Sequence, residues 1–164
     1  MSETAKIGTY VMYGKTGVCL IKEQTTMFGG GLYYVLSPVS DSRSFVYVPC
    51  DNADLVARMR PLLSRKEIDC LLSDADDVRM EWVDDRAERA MRYRSITTGG
   101  DRRELIRLIG CLMRKKQERI TMGKRLSTMD DNALQECVRL VQEEFSMVLD
   151  IPISAVSAYI HERL

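Results

Sequence analysis

The sequence has few of the side chains from which catalytic and metal sites are built. Among 164 residues there is one histidine, His161, close to the C-terminus, which leaves Ser-His or Cys-His nucleophilic chemistry without a credible base. The five cysteines never form a C-x-x-C pair and are odd in number, unlike a zinc site or a secreted disulfide framework. The residue types therefore predict a non-enzymatic protein with free thiols, no cofactor and no metal.

Long apolar runs and an excess of one charge are also missing. No run approaches the roughly 20 residues of a membrane span, and the N-terminus MSETAKIG has no signal-peptide apolar region. These absences favour a soluble, cytoplasmic protein without membrane contact. Lysine and arginine together number 24, as do aspartate and glutamate. A zero balance argues at first sight against a nucleic-acid partner.

The neutral total conceals an uneven distribution of charge along the chain. Residues 81–125 carry a net charge of +6, from 13 basic and 7 acidic side chains, whereas residues 126–164 carry −5. A basic middle beside an acidic tail is the footprint expected of a nucleic-acid contact, although solvated helix faces produce it as well.

Residues 7–49 have the pattern of β structure. Four short segments rich in β-branched and aromatic residues are separated by turn signals such as Gly29-Gly30-Gly31. The segments are 10–13, 17–21, 32–36 and 44–48. Such closely spaced strands predict a small, strongly bent sheet of the SH3 or Tudor type, a common binding platform.

The remainder of the chain has helical periodicity. Ser64 and Glu67 fit a capping box, 74–77 is expected to interrupt as an acidic linker, and a helix is expected from about Trp82 to Ser95. Asp101 is expected to cap a long helix to about Arg119. Thr128 or Asp130 is expected to cap the next helix, and Ser154 a last short one after Pro152. The fold class is therefore α+β, with an N-terminal β-barrel over 1–60 and an all-α helical bundle over 61–164.

Specific residues in both halves resemble the CarD/CdnL family of bacterial transcription regulators. The matching segments are Ile7–Tyr13 with Gly17-Val18, Tyr33–Leu36, Val46–Pro49 with Asn52, Trp82, Gly99–Asp101, and Leu112 with Arg114-Lys115 and Gln117–Arg119. The same barrel occurs in the transcription-repair coupling factor, whose motor this chain is too short to contain. The resemblance covers about residues 7–150.

The resemblance implies that the barrel docks on the β subunit of RNA polymerase through an exposed sheet edge. Main-chain hydrogen bonds would then supply affinity and side chains selectivity. The matching positions are Thr25 and Thr26 on one strand and Phe45 and Tyr47 on another.

The resemblance further implies that the helical domain lies on promoter DNA at the upstream edge of the transcription bubble. Trp82 matches the tryptophan wedge of the family, and nearby cations would hold phosphates without reading sequence. The cationic candidates are Arg86, Arg89, Arg114, Lys115, Lys124 and Arg125. Asp84 and Asp85 stand where relatives often have basic residues, so the contact is expected to be weak and largely independent of sequence.

Two alternatives remain open. Trp82 can instead be a half-buried side chain that packs its helix onto the bundle. The chain as a whole can be a protein-only adaptor whose barrel recruits a partner without touching DNA. An enzyme with a small-molecule substrate is disfavoured by the missing catalytic set.

Overall fold

The computed structural model describes residues 6–27, 29–77 and 79–164. The chain divides between Leu63 and Ser64 into two compact units. The predicted α+β class is confirmed, because the first unit is built around an antiparallel sheet and the second is helical.

The N-terminal unit is a five-stranded antiparallel sheet. Its elements are β1 (Tyr10–Tyr13), β2 (Gly17–Thr26), β3 (Leu32–Pro38), β4 (Val46–Pro49), a one-turn helix α1 (Ala53–Ala57) and β5 (Met59–Pro61). The strand order is β4-β3-β2-β1-β5, and a 3₁₀ turn over Gly14–Thr16 joins the first two strands. Two short elements, α1 and β5, were not predicted.

One face of this sheet carries the core of the unit. Buried residues from all five strands meet there, and Leu55 and Val56 of α1 pack against them. The buried members are Val11, Cys19, Ile21, Leu36, Val48 and Met59. The register between β2 and β3 shifts between Ile21 and Glu23. An irregularity of this kind bends a strand and increases its twist, which suits a sheet that must curl around so small a core.

The C-terminal unit consists of five helices. They are α2 (Arg65–Asp77), α3 (Arg86–Gly99), α4 (Arg102–Thr121), α5 (Thr128–Leu149) and α6 (Ile153–Arg163). Apolar residues of the two long helices contribute to its core, with Ile106, Ile109 and Leu112 of α4 and Val141 and Phe145 of α5 fully buried.

Side chains at the helix starts satisfy the backbone N–H groups that have no partner within the helix. The Ser64 hydroxyl accepts from the Glu67 N–H at 3.1 Å, and the Asp101 carboxylate from the Glu104 N–H at 3.1 Å, as the sequence predicted. For α5 the prediction was wrong. Ser127, rather than Thr128 or Asp130, is the cap and accepts from the Asp130 N–H at 3.2 Å.

Three predicted boundaries also differ from the structure. The acidic run 74–77 continues α2, because Ile68, Leu72 and Ala75 recur at helical spacing and are buried. The last helix begins at Ile153, directly after Pro152, without a side-chain cap from Ser154. Most important for function, α3 does not begin at Trp82 but at Arg86, since Asp85 caps it by accepting from the Glu88 N–H at 2.9 Å. Trp82 therefore lies in non-helical backbone.

Replacing Phe145 by alanine should destabilise the helical unit by about 3–5 kcal/mol, because it leaves a cavity in a fully buried part of the core. Denaturant unfolding followed through the fluorescence of the single tryptophan, which lies in this unit, measures the change. Met147→Ala on the same helix is the matched control: its side chain is exposed, so a change within about 0.5 kcal/mol is expected. Equal losses in the two variants would contradict the proposed packing of α5.

Candidate functional site

The outer strand β4 presents an open edge of the sheet. Its other side pairs with β3, with Val35 opposite Tyr47 and Tyr34 opposite Val48. The Cys50 N–H donates to the Leu32 carbonyl at 2.9 Å, which fixes a hydrogen-bonded pair at that point of the ladder. Because such pairs alternate in antiparallel sheets, Tyr34 and Val48 bond to each other, whereas the backbone N–H and C=O of Tyr47 point away from β3.

The predicted polymerase-contacting side chains lie at two open places of this sheet. Tyr47 and Phe45 are both exposed, and the Lys22 amine lies 5.2 Å from the centre of the Phe45 ring. Thr25 and Thr26 lie at the end of β2, opposite Tyr33 and Leu32 of β3. Among the described pairings, β1 covers only the first part of β2, over 17–20, so the side of Thr25 and Thr26 away from β3 is also open.

The second candidate surface is the loop that carries Trp82. Arginine side chains bind four of its backbone carbonyls, two before Trp82 and two after it. Arg114 donates to the Met80 carbonyl at 3.3 Å and Arg92 to the Glu81 carbonyl at 3.2 Å. Arg89 donates through Nη1 to the carbonyls of Val83 and Asp84, at 3.1 and 2.8 Å. The loop over 80–84, here called the tryptophan loop, is thus held by cations on α3 and α4.

One of these cations, Arg89, also contacts the indole of Trp82, and so does Lys115 of α4. The Arg89 guanidinium lies 4.4 Å and the Lys115 amine 4.9 Å from the centre of the ring, which is within cation–π range. Trp82 is half-buried, so part of the ring is accessible. The structure therefore brings together Trp82, Arg89, Arg114 and Lys115, four of the seven residues that the sequence singled out for DNA.

Below the tryptophan loop lies a buried polar network centred on Asp130. Its carboxylate accepts from Nε and Nη2 of Arg89 at 3.1 and 3.2 Å and from the Tyr93 hydroxyl at 2.7 Å. The Ser127 hydroxyl donates to it at 2.6 Å. Asp130 is 1% exposed and Arg89 9%. This is a fully partnered ion pair, the one arrangement in which a buried charge is tolerated.

The pKa shifts of Asp130 and Tyr93 agree with the hydrogen bonds of this network. Burial alone would raise the pKa of Asp130, but hydrogen bonds from Ser127, Tyr93 and Arg89 lower it below its ordinary value. Burial, followed by the hydrogen bond to Asp130, raises the pKa of Tyr93. At neutral pH Asp130 is therefore a carboxylate and Tyr93 a hydrogen-bond donor.

The other three predicted DNA contacts are separate from this cluster. Arg86, Lys124 and Arg125 are exposed, and within the described part of the chain their side chains make no ion pair or hydrogen bond. Arg86 is the first residue of α3, and the other two lie in the turn between α4 and α5. Asp85, which raised the question of repulsion, is accounted for as the cap of α3.

Neither a membrane-spanning helix nor a metal site is present in the described part of the chain. None of its helices is both long and apolar enough to cross a bilayer. No group of three or more His, Cys, Asp or Glu side chains among the described residues could hold a metal ion. All five cysteines are free, and burial raises the pKa of the Cys137 thiol to about 12, which leaves it unreactive.

Comparison with known families identifies the N-terminal unit. Residues 6–63, which span its whole described length, match the family described as the CarD-like/TRCF RID domain. The N-terminal unit is a RID domain of the CarD-like family. The resemblance read from the sequence is confirmed for this unit. The match does not extend to residues 64–164, and no curated protein matches the chain.

The RID domain gives the sheet edge its functional context. The family is a protein-interaction domain rather than a catalytic one, and its presence implies binding to RNA polymerase. That context agrees with a small sheet whose β4 edge has outward-facing main-chain groups.

Sequence reasoning missed the residues behind the tryptophan loop. Asp130 was expected only as a possible cap, and Tyr93 and Arg92 were not singled out. One signal was available: Arg89 and Tyr93 are four residues apart and so lie on one face of α3, where they can share a partner. Nothing in the sequence indicated that this partner lies 37 residues beyond Tyr93.

The stability that Asp130 provides should depend on pH. Its pKa in the folded protein lies below the ordinary value of 3.8, so its contribution is complete above that value and is lost as the pH falls through the folded pKa. Asp130→Asn should therefore be less stable than the wild type at neutral pH, and the difference should shrink below pH 3.8. Denaturant unfolding across this range measures it. Asp131→Asn, which removes a half-exposed carboxylate one position along, should stay close to the wild type at neutral pH. A difference for Asp130→Asn that is constant with pH would contradict the assignment.

Proposed function

We propose that this chain is a bacterial, cytoplasmic transcription regulator. Its RID domain docks on the β subunit of RNA polymerase, and its helical unit contacts promoter DNA near the upstream edge of the bubble, where it modulates the stability of the open complex. The RID match is the observation that carries the proposal, because it implies the polymerase partner.

Docking is proposed to use the β4 edge. The outward N–H and C=O of Tyr47 offer a donor and an acceptor to an added strand, and the exposed rings of Tyr47 and Phe45 lie beside them. Strand addition of this kind derives affinity from the main chain and specificity from flanking side chains. Thr25 and Thr26 offer a second open stretch of main chain on the β2–β3 hairpin.

The DNA contact is proposed to centre on Trp82. An accessible indole on a fixed loop suits an apolar wedge at an unstacked base step, which costs less where the duplex is already open. Arg86, Lys124 and Arg125 have exposed charges that can meet phosphates, and Arg114 and Lys115 lie beside the loop. We leave Arg89 out of the phosphate contacts, because it is buried and its donors are directed to Asp130 and to two carbonyls.

A main-chain contact at Tyr47 has a specific test. Tyr47→Pro removes the outward N–H while leaving the ladder to β3, since proline is tolerated on an edge strand where its nitrogen faces outward. We expect this variant to fold and to bind polymerase at least tenfold less tightly. A tenfold loss of affinity corresponds to roughly 1.4 kcal/mol, which we attribute to the lost hydrogen bond and to the altered fit of the added strand. Titration of labelled protein with the polymerase core measures it.

The control is an exposed tyrosine of the same sheet. Tyr10 lies on β1, away from the β4 edge, and is exposed to a similar degree as Tyr47. Tyr47→Glu should weaken polymerase binding, whereas Tyr10→Glu should leave it unchanged. Unaltered binding of both Tyr47 variants would remove β4 from the interface.

The wedge is tested by the lifetime of the open complex. Trp82→Ala should shorten any stabilised lifetime by roughly five- to thirtyfold, corresponding to 1–2 kcal/mol, without changing polymerase binding. Trp82→Phe should fall between, because it keeps a smaller aromatic ring. Decay of a preformed complex after addition of competitor DNA gives the lifetimes. If the wild type itself leaves the lifetime and the promoter footprint unchanged while it binds polymerase, the chain is a protein-only adaptor and the DNA role is wrong.

A further inference from the structure

We propose that Asp130 and Arg89 are positioning residues that set the tryptophan loop in one conformation, so that Trp82 is presented already ordered. The effect on promoters rests on the proposed function. The effect on the position of Trp82 in the free protein does not, and the two can therefore be tested separately.

Trp82 lies at a place in the fold where secondary structure does not fix its backbone. It lies four residues before the first residue of α3, in backbone that neither a helix nor a strand holds. A side chain on such a segment has no fixed direction unless other groups bind the backbone. Those groups are the arginines of α3 and α4, and Arg89 makes the two contacts immediately after Trp82.

One guanidinium connects Asp130 to both the backbone and the ring of the tryptophan loop. Arg89 directs Nε and Nη2 to the Asp130 carboxylate and Nη1 to the carbonyls of Val83 and Asp84, and it lies 4.4 Å from the centre of the Trp82 ring. Only arginine combines a forked set of donors with a planar surface that stacks on an aromatic ring. Asp130 thus fixes the orientation of a group that in turn fixes the loop.

Burial makes this arrangement stiff. Asp130 is 1% and Arg89 9% exposed, so rotating the guanidinium away would leave a carboxylate without its partner in a poorly solvated place. Breaking a buried pair in that way is strongly unfavourable, whereas the exposed Arg114 can release its carbonyl at little cost. The Asp130–Arg89 pair is therefore the contact that decides whether the loop stays ordered.

The network also connects the loop to a second cationic segment. Ser127 and Asp130 bond to each other at the start of α5, directly after the turn that carries Lys124 and Arg125. The same carboxylate therefore orders the wedge and anchors the helix that follows the phosphate-contact candidates. Order present before binding lowers the entropic cost of the contact.

The single tryptophan provides the direct test. In Asp130→Asn, which keeps the shape of the side chain but removes its charge, we expect the emission of Trp82 to shift to the red and its quenching by acrylamide to increase, because the loop opens to solvent. Arg89→Lys, which keeps the charge but loses the fork and the plane, should change both signals in the same direction. Far-ultraviolet circular dichroism establishes that each variant is folded at the temperature used. If Asp130→Asn does not fold, the emission and quenching of Trp82 in Arg89→Lys alone test the proposal.

A second buried ion pair of the same unit is the matched control. Glu144 is fully buried on the same helix as Asp130, and Arg102 binds it at 2.8 Å. Glu144→Gln removes an equivalent charge from α5, and the partner of that charge, Arg102, is the first residue of α4 rather than part of the tryptophan loop. It should reduce the stability of the unit while leaving the emission and quenching of Trp82 unchanged. If it changes these signals as much as Asp130→Asn does, the effect is general loosening and the proposal is wrong.

The promoter readout then separates this inference from the proposed function. If Asp130 acts through Trp82, Asp130→Asn should shorten the open-complex lifetime by about fivefold, or ~1 kcal/mol, and should have almost no effect in a Trp82→Ala background. Wild-type lifetimes for Asp130→Asn and Arg89→Lys, beside a short one for Trp82→Ala, would overturn the inference and leave the proposed function intact. Altered fluorescence in the Asp130 variant with no effect of Trp82→Ala on promoters would overturn the proposed function and leave the positioning role intact.

Discussion

The buried carboxylate of Asp130 is the constraint on which the architecture of the helical unit's candidate surface depends. A charge that is 1% exposed has to be matched by donors, and three side chains supply them, two from α3 and one from the α5 cap. With Nε and Nη2 of Arg89 bound to Asp130, its Nη1 donates to the backbone carbonyls of Val83 and Asp84, directly after Trp82. The position of an accessible aromatic ring thus follows from the solvation requirement of a group below it.

Because some arginines bind groups within the fold, the net charge of a segment overstates the number of cations that can meet DNA. The net charge of +6 over residues 81–125 would suggest a continuous cationic surface. Several of these cations serve the fold instead: Arg89 and Arg102 bind buried carboxylates, and Arg92 binds a loop carbonyl. Fewer cations than the net charge suggests therefore remain available for phosphates. The electrostatic part of any DNA affinity scales with the number of phosphates neutralised, so each cation that is bound within the fold lowers it.

Much of the fold was accessible from the sequence, because periodicity and capping are local. Four of the five strands of the RID domain, the two long helices α4 and α5, and the caps Ser64 and Asp101 were predicted. The site was less accessible. The helix of Trp82 was predicted to begin at that residue, whereas the Asp85 cap places the helix start at Arg86. Arg89 was predicted to be a surface cation, because local sequence patterns carry no information about its burial. That burial depends on Asp130, a partner 41 residues away.

The proposed function makes a particular use of two units on one chain. A DNA contact made by one aromatic side chain and scattered cations of a neutral protein is weak by itself. If polymerase holds the RID domain, the helical unit would meet DNA at an effective concentration that short flexible linkers raise to about the millimolar range, so weak binding would be sufficient. The contact would then be confined to DNA that polymerase has already engaged, and the neutral overall charge would suppress binding elsewhere. Under this proposal an ordered wedge matters more than a strong one, because the energy available is small and little of it can offset the cost of arranging the side chain.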